Sequence, residues 1–557
     1  MEKIWLKSYE EGVPKEIDPK AYSTLLEYIE ECFQTHRNKP CFINMGVTLT
    51  YDEIDKMSLA FAGYLQQVCK LSKGDRVALM MPNVLQYPVA MFGVLRAGMI
   101  VVNVNPLYTV RELTHQLKDS GAKAIVVLSN FAQTVEKALP NTDVKQVMVT
   151  QIGDLFPTIK GAVVNFVVKQ VKKMVPKWHI PQAISFKNCI KKNYADHYQR
   201  PNLTGEDIAY LQYTGGTTGL SKGAILEHRN MMSNVLQATA WIQPLLKRDL
   251  PGGIITALPL YHIFSLTANC MVFLKVGIPN LLITNPRDIP GFVKELKKHP
   301  FSVLTGVNTL FNALLHNKEF RELDFSKFRF TLGGGMAVQR AVAQQWKEVT
   351  GVPLVEAYGL TEACPAVTIN PIGLKDFNGS IGLPLPSTDI KIVNEAGKSL
   401  PLNVEGELCV KGPQVMRGYW NQPEKTAEVL KDDWLYTGDV AMVDDNGFVR
   451  IVDRKKDIII VSGFNVYPNE VEDVIANLKG VKEVAVVGVE AGIQGEKVKA
   501  YIVKSDPSLT KEQIIAHCRQ ELTNYKIPKE IEFRDELPKT NVGKVLRRAL
   551  REEVQGA

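Results

Sequence analysis

The stretch RVALMMPNVLQYPVAMFGVLRAGMIVVNVNP, from Arg76 to Pro106, predicts a strand, a helix and a second strand in succession. Residues 76–82 are a short apolar run typical of a buried strand, residues 83–98 have the length and pattern of a helix, and residues 99–106 form a second apolar run. Apolar strands that alternate with a helix indicate a parallel α/β unit, in which ligand loops lie at the strand ends. The stretch therefore predicts an α/β fold.

The same alternation continues along most of the chain. Thr50 and Glu53 match a helix capping box, and apolar residues with helical spacing follow them. A chain of 557 residues, 45% of them hydrophobic, is long enough to bury more than one core. The sequence therefore predicts a mixed α/β, multidomain protein. Further apolar runs that predict buried strands lie at 124–128, 144–150, 253–260, 280–284 and 330–335.

The pattern changes near IVDRKKDIIIVSG, which covers residues 451–463. The charged part of this stretch can stay solvated while two domains move, as a hinge requires. The segment after it is short and self-contained, and about a hundred residues is a usual size for a domain. We therefore divide the chain into a large domain at 1–453, a hinge at 454–459 and a C-terminal domain at 460–557.

Within the C-terminal domain, two helices and two strands are predicted. Asn469 is expected to cap the first helix, and Thr510 with Gln513 is expected to open the second as a capping box. The runs at 484–489 and 498–503 predict strands. Helices and strands in this order indicate a small α+β unit.

Composition and termini exclude several classes of protein. The eight cysteines are scattered, without the paired spacing or the histidine cluster of a metal site. The N-terminal residues carry acids among lysines and no apolar signal region, and no apolar run approaches the ~20 residues that span a bilayer. We therefore expect a cytoplasmic protein with reduced thiols.

The positive charge of the chain is concentrated in one segment. The formal net charge is +7, and between Asp154 and Asp196 there are eight lysines and no acid. No nucleic-acid partner is expected. Residues 160–178 predict a basic amphipathic helix that either lies on the anionic inner face of the cell membrane or packs on the core with its lysines solvated. Its apolar stripe is predicted to hold Val163, Val164, Val167, Val168, Val171, Met174 and Val175, with Asn165, Lys169, Lys172 and Lys173 opposite and Trp178 near the interface.

The stretch YTGGTTGLSKGA, from Tyr213 to Ala224, predicts a phosphate-binding loop. Glycines let backbone N–H groups converge on an anion, threonines add hydroxyl donors and Lys222 adds a positive charge. The Walker pattern of ordinary NTPases fails, because Lys222 follows Ser221 and precedes Gly223. A plain flexible loop is the alternative. The residues predicted to hold phosphate are Tyr213, Thr214, Gly215, Gly216, Thr217, Thr218, Gly219 and Lys222.

Seven further motifs follow this loop. They are PLYHIF (259–264), GGGM (333–336), YGLTE (358–362), WLYTGD (434–439), DRKKD (453–457), SGFNVYPNE (462–470) and PKTNVGK (538–544). Together they resemble the adenylate-forming superfamily of acyl-CoA synthetases, luciferases and peptide-synthetase adenylation domains. The likeness extends over nearly the whole chain. In residues 76–109 and 432–470 it is closest to the bacterial long-chain fatty-acid CoA ligases.

This resemblance implies the adenylate-forming enzyme fold, with a large N-terminal domain of α/β subdomains and a small, mobile α+β C-terminal domain. It also implies that ATP, CoA and a long-chain fatty acid are the substrates. The fatty carboxylate would displace pyrophosphate from ATP, and the thiol of CoA would attack the acyl adenylate to give acyl-CoA and AMP, in fatty-acid uptake and degradation. A homodimer would be common in the family.

Alternatives within and outside the superfamily remain. A ligase for medium-chain or aromatic acids, or a fatty acyl-AMP ligase that serves a carrier protein, would keep the same nucleotide motifs. A motor or switch NTPase is disfavoured by the failed Walker match. A catalytically inactive membrane-binding module is disfavoured by the intact motif residues Lys222, Glu362, Asp439 and Lys544.

The resemblance also implies roles for the residues around the triphosphate. The glycine- and threonine-rich loop would hold the β- and γ-phosphates, with Lys222 supporting adenylation. Thr361 would contact the α-phosphate and Glu362 would bind Mg²⁺, although a Thr–Glu pair is also a common helix start. Lys544 would bridge the fatty carboxylate and the α-phosphate.

Other motif residues would hold the nucleoside, move the small domain or line the acyl site. The nucleoside residues would be Gly333, Gly334, Gly335, Glu356, Ala357 and Gly359 beside the adenine, Tyr358 stacked on it, and Asp439 with Arg454 at the ribose. Lys456 would be the hinge that withdraws Lys544 and brings the loop at Gly463 to the pantetheine tunnel. His262 is expected either at the acyl-pocket wall or as a core histidine.

Overall fold

The computed structural model describes residues 2–214, 221–461, 464–491, 496–540 and 542–555. Its strands are β1 Pro40–Asn44, β2 Val47–Thr50, β3 Arg76–Met80, β4 Ile100–Asn103, β5 Ala124–Leu128, β6 Gln146–Thr150, β7 Ile184–Ser185, β8 Ile208–Thr214, β9 Lys222–Glu227, β10 Gly253–Thr256, β11 Asn280–Leu282, β12 Phe301–Gly306, β13 Phe330–Gly333, β14 Leu354–Gly359, β15 Ala366–Ile369, β16 Leu383–Pro384, β17 Asp389–Val393, β18 Gly406–Lys411, β19 Gly418–Tyr419, β20 Leu430–Lys431, β21 Trp434–Val443, β22 Val449–Arg454, β23 Ile459–Val461, β24 Phe464–Val466, β25 Val481–Glu490, β26 Glu496–Lys504 and β27 Glu530–Arg534.

The α-helices alternate with these strands in the first two thirds of the chain. They are α1 Leu25–Thr35, α2 Tyr51–Gln67, α3 Gln86–Arg96, α4 Val110–Ser120, α5 Ala132–Ala138, α6 Thr158–Phe166, α7 Phe186–Cys189, α8 His228–Trp241, α9 Gln243–Leu246, α10 Ile263–Ser265, α11 Val272–Val276, α12 Ile289–Leu296, α13 Asn308–Leu315, α14 Lys318–Arg321, α15 Arg340–Thr350, α16 Pro423–Val429, α17 Pro468–Ala476, α18 Lys511–Glu521 and α19 Arg547–Gln555.

Two large, mainly parallel sheets carry the large domain. Among the described residues, the first has nine strands in the order β16-β15-β14-β13-β12-β10-β11-β1-β2, and the second has eight in the order β19-β9-β8-β4-β3-β5-β6-β7. In the first sheet β12, β13 and β14 run parallel, so their carboxyl ends meet at one edge. The predicted strands and helix of the opening stretch are confirmed as β3, α3 and β4.

A smaller antiparallel sheet joins the two large sheets to the rest of the chain. It has the order β17-β18-β21-β20, with β22 paired to β21, so that Asp439 lies opposite Arg454. Strand β22 ends at Arg454, where the predicted hinge begins. The limits 454–459 of that hinge remain a prediction.

The C-terminal elements have a hydrophobic core of their own, built by residues such as Val471, Val486 and Ile514. Strands β25, β26 and β27 form one sheet, and the capping box of Thr510 and Gln513 is confirmed at the start of α18. The predicted cap at Asn469 was wrong, since α17 begins one residue earlier, at Pro468. The polar groups of Asn469 instead contact Val452, Asp453 and Arg547, which lie outside its own helix.

The basic segment at 160–178 departs from its predicted form. Helix α6 ends at Phe166 and continues only as a π-helical turn from Val167 to Val171. Asn165 does not lie on a solvated polar face, because its amide accepts the Gly153 N–H at 2.8 Å and donates to Asp154 at 3.3 Å. The buried Asp154 carboxylate requires such a donor. These bonds hold the Asn165 side of helix α6 against the protein, so that Val163 and Phe166 face the solvent.

Apolar side chains of this segment are exposed instead. The exposed fractions are 56% for Val163, 60% for Phe166 and 64% for Val171. None of the helices in the described ranges is both long enough and apolar enough to cross a bilayer. The exposed apolar side chains and the surrounding lysines thus form one amphipathic surface.

Candidate active site

An apolar cavity of about 110 Å³ lies at the carboxyl ends of β13 and β14. Phe264, Leu332 and Tyr358 contribute to its wall from the large domain, and Lys544 contributes from the C-terminal domain. A lysine that reaches an apolar wall from another domain is unusual, because burying a charge without a partner costs free energy. This cavity is therefore the first candidate for a site.

A short turn carries Lys544 into the cavity. The Thr540 N–H donates to the Lys544 carbonyl at 2.7 Å, and the Lys544 N–H donates to Thr540 Oγ1 at 3.0 Å. The Thr309 hydroxyl on α13 donates to the carbonyl of Gly543 at 2.8 Å. These bonds dock the turn on the large domain and direct the lysine inward.

The surroundings of Lys544 make its ammonium group easier to deprotonate than that of an exposed lysine. Burial, and then the positive charge of Arg454, lower the pKa of Lys544 to about 8. The carboxylates of Asp439 and Glu362 act in the opposite direction. The ammonium group of Lys544 is poorly solvated, and electrostatic attraction is stronger where water is excluded. An anion bound here would therefore be stabilised more than at the protein surface.

The glycine triplet leaves space for neighbouring groups. A Cβ on Gly333 would lie 2.7 Å from the side chain of Leu354, and one on Gly334 would lie 3.1 Å from the Ala357 carbonyl oxygen. Gly335 has a φ of +78°, and a Cβ there would lie 3.2 Å from Cε of Lys544. The third glycine thus makes room for the lysine.

Tyr358, Asp439 and Arg454 form a chain of polar contacts beside the cavity. The Tyr358 hydroxyl donates to Asp439 Oδ2 at 2.5 Å, and Arg454 Nε lies 3.4 Å from Asp439 Oδ1. Burial raises the pKa of the Tyr358 hydroxyl, so this group remains a donor. The geometry brings together the three residues that the sequence assigned to adenine and ribose.

The residues next to Tyr358 differ in what they offer. Ala357 and Gly359 line the cavity, and a Cβ on Gly359 would lie 2.2 Å from the Pro365 carbonyl oxygen. Glu356 is buried, and its Oε1 accepts the N–H of Val338 at 2.9 Å. Burial raises the pKa of Glu356 to about 8. The Glu356 side chain is thus buried and bonded to the protein backbone.

A second group of predicted residues meets at Tyr419. The Tyr419 hydroxyl donates to Glu362 Oε1 at 2.6 Å, and Lys222 Nζ lies 4.3 Å from the centre of the Tyr419 ring. Thr361 and Glu362 begin a one-turn 3-10 helix, and Thr361 lines the cavity. Tyr419 could not be predicted from the sequence, because its motif GYW gives no chemical signal.

The donor set at Glu362 fits Mg²⁺. One carboxylate oxygen is held by Tyr419, while the other carries no hydrogen bond from a described residue. Among the described residues there is no group of three or more His, Cys, Asp or Glu that could hold a metal ion. Magnesium is commonly bound by one or two carboxylates together with phosphate oxygens and water. Glu362 would therefore hold Mg²⁺ only together with a phosphate ligand.

The phosphate-loop prediction falls mostly outside the described residues. Strand β8 ends at Thr214 and β9 begins at Lys222, which pairs with Thr214, so the loop joins two adjacent strands. The Tyr213 side chain is turned elsewhere, since its hydroxyl donates to Asp119 at 2.5 Å. Only the backbone of Tyr213 remains for a ligand. The predicted residues Gly215, Gly216, Thr217, Thr218 and Gly219, and Gly463 of the other loop, lie outside the described part of the chain.

His262 lines the cavity and also caps a helix. Its Nδ1 accepts the Phe264 N–H at 3.4 Å at the start of α10. Burial, and then the charge of Lys544, lower the pKa of His262 to about 3. The imidazole is therefore neutral at physiological pH. His262 therefore lies in the cavity wall and is at the same time hydrogen-bonded to the backbone, so that each of the two predicted positions is partly correct.

The predicted hinge is tied to a polar network that the sequence did not reveal. Arg547 donates to Glu472 at 2.7 Å and lies 3.3 Å from Asp453, which is fully buried at the end of the large domain. The N–H of Asn469 donates to the same Asp453 at 2.8 Å. Lys456 lies in the turn beside this network, and burial lowers its pKa. Arg547, Glu472 and Asn469 of the C-terminal domain thus meet Asp453 of the large domain at the hinge.

Comparison with known proteins agrees with this arrangement. The family model described as AMP-binding enzyme matches residues 29–420, and the model described as AMP-binding enzyme C-terminal domain matches residues 470–544. A long-chain-fatty-acid CoA ligase of Escherichia coli O6:H1 is 58% identical over 558 residues, covering 100% of this chain and 99% of that protein.

Two solved structures share the fold. Anthranilate CoA ligase in complex with anthranoyl-AMP superimposes with a TM-score of 0.85 at 24% identity, over 97% of this chain and 99% of that one. ATP-bound MatB from Rhodopseudomonas palustris has a TM-score of 0.79 at 27% identity, over 95% and 98% of the two chains. Both resemblances span the large domain and the C-terminal domain together.

Proposed function

The chain belongs to the AMP-binding enzyme family, and from this membership we propose that it activates long-chain fatty acids as their CoA thioesters. ATP and CoA are the other substrates, and pyrophosphate and AMP are the other products. A carboxylate is a poor acyl donor because oxide is a poor leaving group. Joining the carboxylate to the α-phosphate of ATP supplies a better leaving group, AMP.

The observation that carries this proposal is Lys544 in the cavity wall. Its side chain reaches the cavity beside Gly335, from the C-terminal domain, and Thr361 lines the same cavity. A positive charge at this position attracts the fatty carboxylate and stabilises the negative charge that grows on the α-phosphate. The apolar part of the cavity, with Phe264 and Leu332 in its wall, receives the acyl chain.

The nucleotide is held by the polar residues around the cavity. Asp439 accepts hydrogen bonds from the ribose hydroxyls, and Tyr358 and Arg454 orient its carboxylate. Thr361 donates to the α-phosphate, and Glu362 with Lys222 faces the leaving pyrophosphate. Mg²⁺ at Glu362 would neutralise part of the triphosphate charge.

The second half-reaction requires Lys544 to leave. Once the acyl adenylate exists, the thiol of CoA must reach the acyl carbon through the space that the C-terminal domain fills. Rotation about Lys456 withdraws the turn at Lys544 and admits the thiol. The contacts that rotation must break include the Thr309–Gly543 hydrogen bond and the bond from Asn312 to the Lys482 carbonyl, at 2.7 Å.

The test is release of pyrophosphate and AMP from ATP with a series of fatty acids, with and without CoA. We expect palmitate or oleate to stimulate pyrophosphate release, and AMP to appear only when CoA is present. Lys544→Ala should slow adenylation by at least about a hundredfold but leave thioester formation from a supplied acyl adenylate. Lys529→Ala, an exposed lysine of the same domain, is the control.

Other outcomes would point to other enzymes. ADP and phosphate as products would refute adenylation. A preference for medium-chain or aromatic acids, or acyl transfer to a carrier protein and not to CoA, would keep the adenylation chemistry and refute the substrate assignment.

The protein is further proposed to bind the anionic inner face of the cell membrane through residues 160–178. The exposed side chains of Val163, Phe166 and Val171 and the lysines around them support this. Interfacial segments combine an exposed apolar surface with basic residues in this way. A homodimer stays a prediction from family resemblance, which the particle mass in solution tests.

A further inference from the structure

A second cavity follows the apolar cavity on the same face of the first sheet. Its volume is about 250 Å³, and Phe330 lines both cavities. Leu332 of the first cavity pairs in register with Val355 of the second. Paired residues of parallel strands point to the same face of a sheet. The two cavities are therefore consecutive along β13 and β14, with Phe330 between them.

The length of the first cavity is short for a long acyl chain. From Gly335, beside Lys544, to Phe330 there are five residues along the chain, which at ~3.3 Å each make about 17 Å. An extended palmitoyl chain is longer than this, whereas an octanoyl chain is shorter. A long chain whose carboxyl carbon lies at Lys544 therefore extends past Phe330 into the second cavity.

The second cavity is basic at its outer end. Its lining includes Arg248, Arg329, Lys347 and Lys375. Lys347 pairs with Asp376, and Arg329 donates to the backbone carbonyls of Ser326 and Phe328. Arg248 and Lys375 form no ion pair with a described residue, and both are exposed.

A carboxylate beside the lining residues Ile372 and Gly373 is already engaged. Glu10 accepts the backbone N–H groups of Ile372 and Gly373, at 2.9 and 2.6 Å. A carboxylate that already accepts two amide hydrogen bonds is a weaker partner for a neighbouring cation. The end of the cavity therefore keeps an excess of positive charge where a saturated acyl chain would present only a methyl group.

We infer that the enzyme also activates long-chain acids with a second anionic group at the distal end, such as α,ω-dicarboxylates. This inference rests on the proposed function. One carboxylate reacts at Lys544, the methylene chain passes Phe330, and the distal carboxylate lies between Arg248 and Lys375 in contact with water. The distal group thus remains solvated and gains two cationic partners, while the chemistry at the first carboxylate is unchanged.

The experiment compares hexadecanedioate with palmitate as substrates for AMP formation. In the Arg248→Glu, Lys375→Glu variant, we expect KM for hexadecanedioate to rise about tenfold, while KM for palmitate stays within about twofold. The control is Lys294→Glu, Lys398→Glu, which reverses the same charge at exposed positions elsewhere. It should leave both values unchanged.

A second variant tests the path of the chain. Phe330→Trp should lower kcat/KM for palmitate and hexadecanedioate, and leave octanoate unaffected because its chain ends before Phe330. The inference is overturned if wild type does not turn over hexadecanedioate, if charge reversal affects both long acids equally, or if Phe330→Trp affects octanoate to the same degree. A failure of palmitate itself would instead refute the proposed function.

Discussion

Lys544 of the C-terminal domain packs against Gly335 of the large domain, where a Cβ would lie 3.2 Å from Cε of the lysine. The two residues are far apart in the chain and meet only because the small domain docks on the carboxyl edge of the first sheet. Lys544 is at the same time the cation of the cavity and part of the contact between the domains. Adenylation should therefore depend on how closely the domains dock.

Gly335→Ala tests this contact. The methyl group must displace Lys544 Cε, and such small misplacements can cost a hundredfold in rate, so we expect adenylation to slow by at least about tenfold. Gly74→Ala is the matched control, because Gly74 also has a positive φ, of +85°, and has no atom within 4 Å of its Cβ position. Both variants should lose about 1 kcal/mol of stability to backbone strain. Equal pyrophosphate release by the two variants would contradict the role of the contact.

The pH dependence of adenylation should show the titration of Lys544. Because burial lowers the pKa of this amine to about 8, the lysine is charged below that pH and loses its charge above it. The kcat/KM for pyrophosphate release should therefore fall as the pH rises through about 8. Lys544→Arg keeps its charge at high pH. Its residual activity should show no such decline, and an identical alkaline decline in this variant would refute the assignment.

Arg547 should hold the C-terminal domain in place. Arg547→Met leaves the buried carboxylates of Asp453 and Glu472 without their cation, at a cost of about 3–5 kcal/mol. Thermal unfolding and hydrogen exchange of α17 and α19 would measure the loss. The control Arg519→Met changes an exposed arginine of α18, and such surface substitutions usually change stability by at most about 0.5 kcal/mol. Similar losses in both variants would show that the network does not stabilise the hinge.

Tyr419 should position Glu362 for Mg²⁺. Tyr419→Phe removes the hydroxyl that donates to Glu362 Oε1 at 2.6 Å. Groups that orient a metal ligand typically contribute at least about tenfold in affinity, so the Mg²⁺ concentration for half-maximal activity should rise about tenfold. Tyr198→Phe, which removes a hydroxyl bonded to the Arg96 carbonyl, should leave that concentration unchanged. An unchanged Mg²⁺ requirement in Tyr419→Phe would remove this role.

The basic segment should bind anionic vesicles. Reversing Lys169, Lys172 and Lys173 to Glu should weaken flotation with phosphatidylserine-containing liposomes by at least about a hundredfold, since each lysine contributes about 1 kcal/mol near such a surface. The control reverses Lys187, Lys191 and Lys192, which are exposed but lie beyond the apolar side chains. Binding of the first variant equal to that of wild type would refute membrane contact.

Much of the fold could be predicted because the relevant signals are local. The capping box at Thr50 and Glu53 is formed, since both partners lie within one turn of helix. The strands β3 and β4 follow from short apolar runs. The motif order was sufficient to recognise the family, whose models match residues 29–420 and 470–544. The sequence by itself thus determined the family to which the chain belongs.

The tertiary structure decided which of those residues meet and which surfaces remain open. Tyr419 gives no chemical signal in the sequence, yet it holds Glu362 and lies under Lys222. Asn165 turned inward because the buried Asp154 needed a donor, which changed the exposed face of its helix. The second cavity beyond Phe330 exists only because two strands and the segments around them pack together. Such contacts depend on shape and charge between distant segments, which no local pattern records.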